Sequence, residues 1–143
     1  PAAPSPAAMK LFASSADVAA LIAKARAERK PDQALISQRI VELAPYNVNL
    51  EYRAAVAGAA IHETDAELFY VVEGAGTLVT GGRLVNETRP NAANRNGTAI
   101  EGGASQRVAK GDFVMVPPGT GHWFSAIDGT LVVMSLHLPV AGR

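Results

Sequence analysis

Three histidines, His62, His122 and His137, and no cysteine make up the chain's imidazole and thiol inventory, so a transition-metal site has only His, Asp and Glu to draw on. The absence of cysteine also excludes disulfides, thiolate nucleophiles and iron–sulfur clusters. His62 stands in the run His62-Glu63-Thr64-Asp65-Ala66-Glu67. The zinc-protease spacing H-E-x-x-H fails there, because Ala66 occupies the position of the second His. Parity offers a different arrangement. On one continuous strand His62 and Glu67 would face opposite sides, since their separation is odd. A turn at Thr64-Asp65-Ala66 removes the conflict: His62 ends one strand, Glu67 begins the next, and both point to the same interior. Downstream, Gly111-Asp112 opens a strand that ends at Pro117-Pro118-Gly119-Thr120-Gly121, and His122 begins another. Three metal-capable side chains, His62, Glu67 and His122, thus sit at strand ends beside tight turns.

The elements that must hold them are mostly short strands. Leu35–Leu43, Val48–Ile61, Leu68–Val72, Gly76–Thr80, Arg83–Glu87, Gln106–Ala109, Phe113–Val116, His122–Ile127 and Thr130–Leu138 are β-rich runs punctuated by Gly, Pro and Asn. The run from Glu67 is expected to stop in a turn at Glu73-Gly74-Ala75-Gly76. Asn86 to Gly103, with Pro90 and four asparagines, breaks the rhythm and reads as a long surface loop. Ahead of the strands, Ser14 and Asp17 have capping-box spacing, and Val18, Leu21, Ile22 and Ala25 recur at helical intervals, which predicts one amphipathic helix over about residues 15–29. Pro1 to Ala8 is patternless and Pro/Ala-rich, the beginning of a flexible tail over residues 1–13. The rest, residues 14–143, reads as one all-β domain of the sandwich or barrel kind with the strands over about 34–138.

These residues resemble a known family. Gly111, Pro117, Gly119 and His122 meet the second cupin motif, G-x5-P-x-G-x2-H-x3-N, at every interval, with Ala126 in place of the final Asn. Glu67 and Gly74 match the end of the first motif, G-x5-H-x-H-x3–4-E-x6-G; His62 falls on the second His, Ala60 on the first, and Ala54 on the leading Gly. The chain is therefore similar to a small single-domain cupin over about Val48 to Leu138. The resemblance implies a double-stranded antiparallel jelly roll with a metal inside its mouth. A full cupin offers three His and one Glu; here His62, Glu67 and His122 leave a two-His, one-carboxylate set, which is typical of non-haem Fe(II) and also holds Mn, Ni, Zn or Co. One divalent transition metal with Fe(II) favoured is the expectation. An ionised Glu67 buried without a cation or strong partner would be costly, which supports it.

Alternation sketches the lining. Without a bulge, Leu50, Tyr52, Ala54, Val56 and Ala60 share the face of His62 while Glu51 and Arg53 face away; Phe69 and Val71 go with Glu67, and Phe124 with His122. The cavity is then largely apolar with Tyr52 as its polar tip, and Trp123 faces the other way. Tyr52 and His137 are the candidates for acid/base catalysis. His137, on the face of Leu131, Val133 and Ser135, is assigned that role rather than direct ligation. Lys+Arg and Asp+Glu both count 13, so the basic surface that nucleic-acid binding needs is missing, and no apolar run is long enough to cross a bilayer. The expected partner is a small oxygen-bearing molecule, acted on by a metal-dependent enzyme of dioxygenase, isomerase or lyase type; the alternative is a cupin that binds or senses such a ligand without turnover. A homodimer is expected, and the compartment, cytoplasmic or exported, stays open.

Overall fold

The computed structural model describes residues 9–143, and the expected tail at residues 1–8 lies outside them. The elements are β1 (Met9–Lys10), α1 (Ser15–Glu28), β2 (Leu35–Leu43), β3 (Tyr46–Arg53), β4 (Ala59–His62), β5 (Asp65–Thr80), β6 (Arg83–Val85), β7 (Thr88–Asn91), β8 (Asn94–Gly97), β9 (Ala99–Glu101), β10 (Ala104–Ala109), β11 (Phe113–Val116) and β12 (Gly121–Pro139). Residues 9–13, assigned to the tail on sequence, carry β1, whose Met9 and Lys10 pair with Leu43 and Glu42. Helix α1 starts where its capping box requires: the Asp17 amide donates to Ser14 Oγ and the Ser14 amide to Asp17 Oδ2, both at 3.0 Å. Val18, Leu21, Ile22 and Ala25 turn toward β2 and β3, where Ile40, Leu50, Tyr52 and Val132 are buried beneath them.

β5 and β12 organise everything else. They pair antiparallel along nearly their whole lengths, from Pro139↔Asp65 to His122↔Thr80, with register shifts that bend both strands. On one side of the bend, β3 pairs with the second half of β12 and β11 with the first half of β5. On the other side, β4 pairs with the start of β12 and β10 with the end of β5. Each long strand therefore belongs to both layers of a jelly roll. The expected turn at Glu73–Gly76 is this bend in a continuous strand. Gly74 has φ +84°, and a Cβ on it would come 2.1 Å from the Thr130 carbonyl oxygen, so the crossing strands meet too closely there for any side chain. Between the layers lie Phe69, Val71, Leu78, Val108, Val116, Phe124, Leu131 and Val133, all buried; side chains of this kind each contribute about 1.5–3 kcal/mol when removed from water.

Two further expectations are corrected. The region from Asn86 to Gly103 is not a loop: β7 and β8 form a hairpin, β8 pairs with β4 (His62↔Asn94 to Ala59↔Gly97), and β9 pairs with β6. Its strands carry mainly Asn, Arg and Thr, so no alternation of apolar residues announces them. Val48–Ile61 is not one strand, because the chain leaves the sheet between Arg53 and Ala59. That interruption resets the parity. Glu51 and Arg53 pair with Val133 and Leu131 and face the interior, while Leu50 and Tyr52 pair with Met134 and Val132 and face α1.

Candidate metal centre

Two turns and the length of β12 deliver the side chains. β4 ends at His62, the chain reverses through Glu63 and Thr64, and β5 brings in Glu67 two residues after its start. The turn before β12 docks directly on β4, since the Gly119 amide donates to the His62 carbonyl at 2.7 Å. Gly119 has φ +73°, the left-handed conformation that its turn requires. His122 follows at once and pairs with Ala60. At the far end of β12, His137 is the register partner of Glu67.

All three imidazoles surround one carboxylate. His62 Nε2 lies 3.1 Å and His122 Nε2 3.0 Å from Glu67 Oε2, and His137 Nε2 lies 3.4 Å from Oε1. Ser135 Oγ donates to Oε1 at 2.7 Å. Neither imidazole contact at Oε2 has the direction of a hydrogen bond, which leaves Glu67 Oε2 buried without one, as is His122 Nδ1. A buried carboxylate oxygen in that condition, ringed by imidazole nitrogens, is what a cation site looks like to its ligands. Glu67 is 3% exposed, and burial alone would raise its pKa; the side chains of His122, His137 and His62 outweigh burial and hold the carboxyl far below the usual carboxylate range. Burial likewise opposes charge on His62, yet its contacts with Glu67 and Asn94 win and its pKa is raised. That of His137 is raised chiefly by Glu67.

The ligating atoms of His62, Glu67 and His137 all lie within 4.8 Å of one another. His137, expected beside the site, therefore faces into it, edge-on to His62 with ring centroids 4.5 Å apart, and its Nδ1 is 3.5 Å from Asp65 Oδ2. Tyr52, expected as an acid/base group, is not in the cavity. It is buried under α1 with the Arg26 guanidinium 5.9 Å above its ring, because the break after Arg53 reverses the inferred face.

A residue the sequence reading passed over holds His62 in place. Asn94 Oδ1 lies 2.7 Å from His62 Nδ1, while Asn94 Nδ2 donates to Asn91 Oδ1 at 3.0 Å. Asn91 Oδ1 also accepts the Ala93 amide, so it can only be an acceptor toward Asn94, and the Asn94 oxygen must face His62. His62 then carries its proton on Nδ1, and Nε2 presents a lone pair to the centre. The signal in the sequence was weak: an Asn-rich segment with no visible strand.

The cavity beside the cluster has a volume of about 410 Å³. Ala59, Ala60, Trp123 and Phe124 line it, but so do Glu51, Arg53 and Asn96. It is therefore not the largely apolar pocket expected from alternation. Trp123, expected to face away, joins the wall with its Nε1 donating to the Ala57 carbonyl at 3.0 Å. Arg53, 7% exposed, donates from Nε and Nη2 to Glu51 Oε1 at 3.1 and 2.7 Å and stacks 4.5 Å above the Phe124 ring.

Comparison with known proteins agrees with this fold. The profile of the Cupin family matches residues 35–138, and the chain belongs to that family. No curated protein sequence matches it. Among solved structures, it is similar to KdgF from Halomonas sp. (TM-score 0.55, 18% identity, 78% of this chain and 86% of that one). It is also similar to a cupin 2 conserved barrel domain protein from Salinispora arenicola (TM-score 0.53, 18% identity, 94% and 92%). A cupin superfamily protein from Desulfitobacterium hafniense aligns at TM-score 0.53 and 14% identity over 79% and 84% of the two chains. At these identities the likeness is one of fold. No helix among the described residues is long and apolar enough to cross a membrane.

Proposed function

We propose that this cupin is a metal-dependent enzyme in which His62, Glu67, His122 and His137 hold one divalent transition ion, Fe(II) favoured over Mn, Ni, Zn or Co. A small oxygen-bearing molecule occupies the adjoining cavity. The observation that carries this reading is the convergence of three imidazole Nε2 atoms on one buried carboxylate whose Oε2 has no hydrogen bond. A hydrogen-bonded core histidine needs no such neighbours. His137 moves from the acid/base role assigned on sequence into the donor set, where it stands in for the first-motif His that Ala60 lacks.

The residues fit the group by type as well as by place, since imidazole and carboxylate suit all five metals. A bound ion would polarise a substrate oxygen as a Lewis acid and, as Fe(II), would support O2 chemistry. The chain's own contribution is positional. Asn94 keeps the His62 proton on Nδ1, Ser135 holds Glu67 Oε1, and the Trp123 bond to Ala57 fixes the cavity wall. Enzymes of this kind depend on such fixed geometry.

Metal analysis of protein purified without chelators, followed by O2 uptake over small phenols, ketones and keto acids, tests the proposal. The expected result is about one ion per chain, lost in both His62→Ala and His122→Ala. Protein without metal, with thermal stability indifferent to EDTA, sinks it; tight metal without turnover of any compound favours a ligand-binding cupin. The homodimer is carried forward on the exposed Met9, Leu11, Phe12 and Leu43 around the β1–β2 edge, and sedimentation equilibrium should give twice the chain mass.

A further inference from the structure

Arg53 has more hydrogen-bonding capacity than the protein uses. A guanidinium has five N–H groups, and Glu51 Oε1 takes one from Nε and one from Nη2; the others bond to no protein atom among the described residues. Both bonds to Glu51 fall on the same edge of the fork. The end formed by Nη1 and the second Nη2 hydrogen is thus left free, in the arrangement that receives both oxygens of a carboxylate. The Phe124 ring supports the guanidinium from one side, its centroid 4.5 Å from the guanidinium carbon, and Phe124 in turn packs edge-on against Phe69, which abuts His122 at 5.6 Å between ring centroids. Aromatic packing thereby sets the position of the free end relative to the histidine cluster across one cavity.

Charge narrows the ligand further. The charged residues lining the cavity are Glu51, Arg53 and Glu67. Glu51 offsets Arg53, and with neutral imidazoles Glu67 offsets half the charge of a divalent ion, so the loaded cavity keeps one net positive charge. A monoanion neutralises it; a phosphate monoester or a dicarboxylate overshoots, and Glu51 repels the excess.

We propose that the substrate is a small monocarboxylate whose carboxylate docks end-on on Arg53 while a second oxygen of the same molecule reaches the His/Glu cluster. This rests on the metal reading above and adds to it the class of substrate and the residue that selects it. A cavity of about 410 Å³ sits toward the lower end of the sizes of ligand pockets, which suits a compact acid.

The test is calorimetric titration of manganese-loaded protein with lactate, pyruvate and salicylate and with the methyl ester of each, with metal per chain measured on every sample. Wild type should bind at least one acid about tenfold or more tighter than its ester, the loss expected for one charge-assisted hydrogen bond. Arg53→Gln should abolish that preference while keeping its manganese. Glu51→Gln, which leaves the Arg53 charge uncompensated, should tighten the acid several-fold, and it serves as the measurement if Arg53→Gln does not fold. An acid preference that survives in metal-replete Arg53→Gln overturns the proposal, as does weakened acid binding in Glu51→Gln or the absence of saturable binding by every acid. Failure of wild type to take up any of Fe(II), Mn, Ni, Zn or Co sinks the metal reading instead, and the comparison of wild type with Arg53→Gln, run without metal, still decides the role of Arg53.

Discussion

Removing the Asn94 side-chain amide isolates the positioning of one ligand from the ligand itself. His62 and Asn94 are register partners on β4 and β8, so Asn94→Ala changes no strand pairing and leaves the His62 backbone in place. It deletes the 2.7 Å contact at Nδ1 that fixes which nitrogen carries the proton. Both tautomers then compete, and the ring is freer to rotate. Loss of such an outer partner typically costs 10–100-fold in metal affinity, about 1.4–2.7 kcal/mol. The upper half of that range is expected, because the bond is short and Asn94 is itself held by Asn91 at 3.0 Å. Competition against a chromophoric chelator at fixed pH measures the affinity. Asn94→Asp, which keeps an acceptor at the same place, should bind at least as tightly as wild type, and Asn91→Ala should lose less than Asn94→Ala. If Asn94→Ala binds within about twofold of wild type while His62→Ala binds nothing, the tautomer argument is wrong and the contact with Asn94 is only packing.

His137→Ala should weaken metal binding as severely as His62→Ala, because both sit in the tight donor group with Glu67; full stoichiometry at unchanged affinity would return His137 to an acid/base role. In the metal-free protein, the lowered Glu67 pKa gives stability that is present above the ordinary value of 4.5 and lost as pH falls, and the raised His62 and His137 values give stability that is complete below 6.5 and lost as pH rises through them. EDTA-treated protein should therefore melt lower as pH rises past neutrality, while metal, which needs deprotonated imidazoles, stabilises more; a metal-induced Tm shift that is constant with pH would refute the linkage. At saturating metal that stabilisation is about 4 kcal/mol for a thousandfold excess over Kd, readable by scanning calorimetry. Gly74→Ala places a Cβ 2.1 Å from the Thr130 oxygen at a positive φ and should either abolish soluble expression or lower the denaturation midpoint by the equivalent of at least about 3 kcal/mol, the upper end of ordinary substitution effects.

What could be read from the sequence follows from how far each signal travels along the chain. β2 and β11 begin and end at the residues anticipated, and α1 starts at its capping box, because each of these depends on neighbours within a few positions. His122 could be singled out for the same reason, because it follows the Pro117-Pro118-Gly119 turn, and His62 and Glu67 because their odd separation calls for a turn between them. The lining failed where parity had to be carried from β4 back to β3. The excursion at residues 54–58 contains Gly58, whose missing side chain lets the Gly97 carbonyl approach to 2.8 Å of the Cβ position, and nothing in a pattern of alternation encodes such a contact. One displaced register turned Tyr52 outward and Arg53 inward. β7 and β8 were missed because they are stabilised by pairing with each other and with β4 and by asparagine side chains rather than by a buried apolar face, and β9 because its three residues carry a single buried apolar side chain, Ile100.

The bend shared by β5 and β12 explains how the proposed centre can lack a motif histidine and still bring three imidazoles to one carboxylate. His122 lies at the start of β12 in one layer and His137 near its end in the other, and the two reach one carboxylate only because the strand crosses between layers around Asp128–Thr130. Glu67 and His137 are partners in the ladder itself, so their separation is set by backbone hydrogen bonds and not by a loop. A donor placed that way is as rigid as one on β4, where Ala60 leaves space in the cavity wall. Arg53 joins the same framework through its pairing with Leu131, just past the bend. Ligands and anion-binding group are thus spaced by one strand, and a change at the bend should alter metal affinity and substrate selectivity together, whereas changes at Asn94 or Glu51 should separate them.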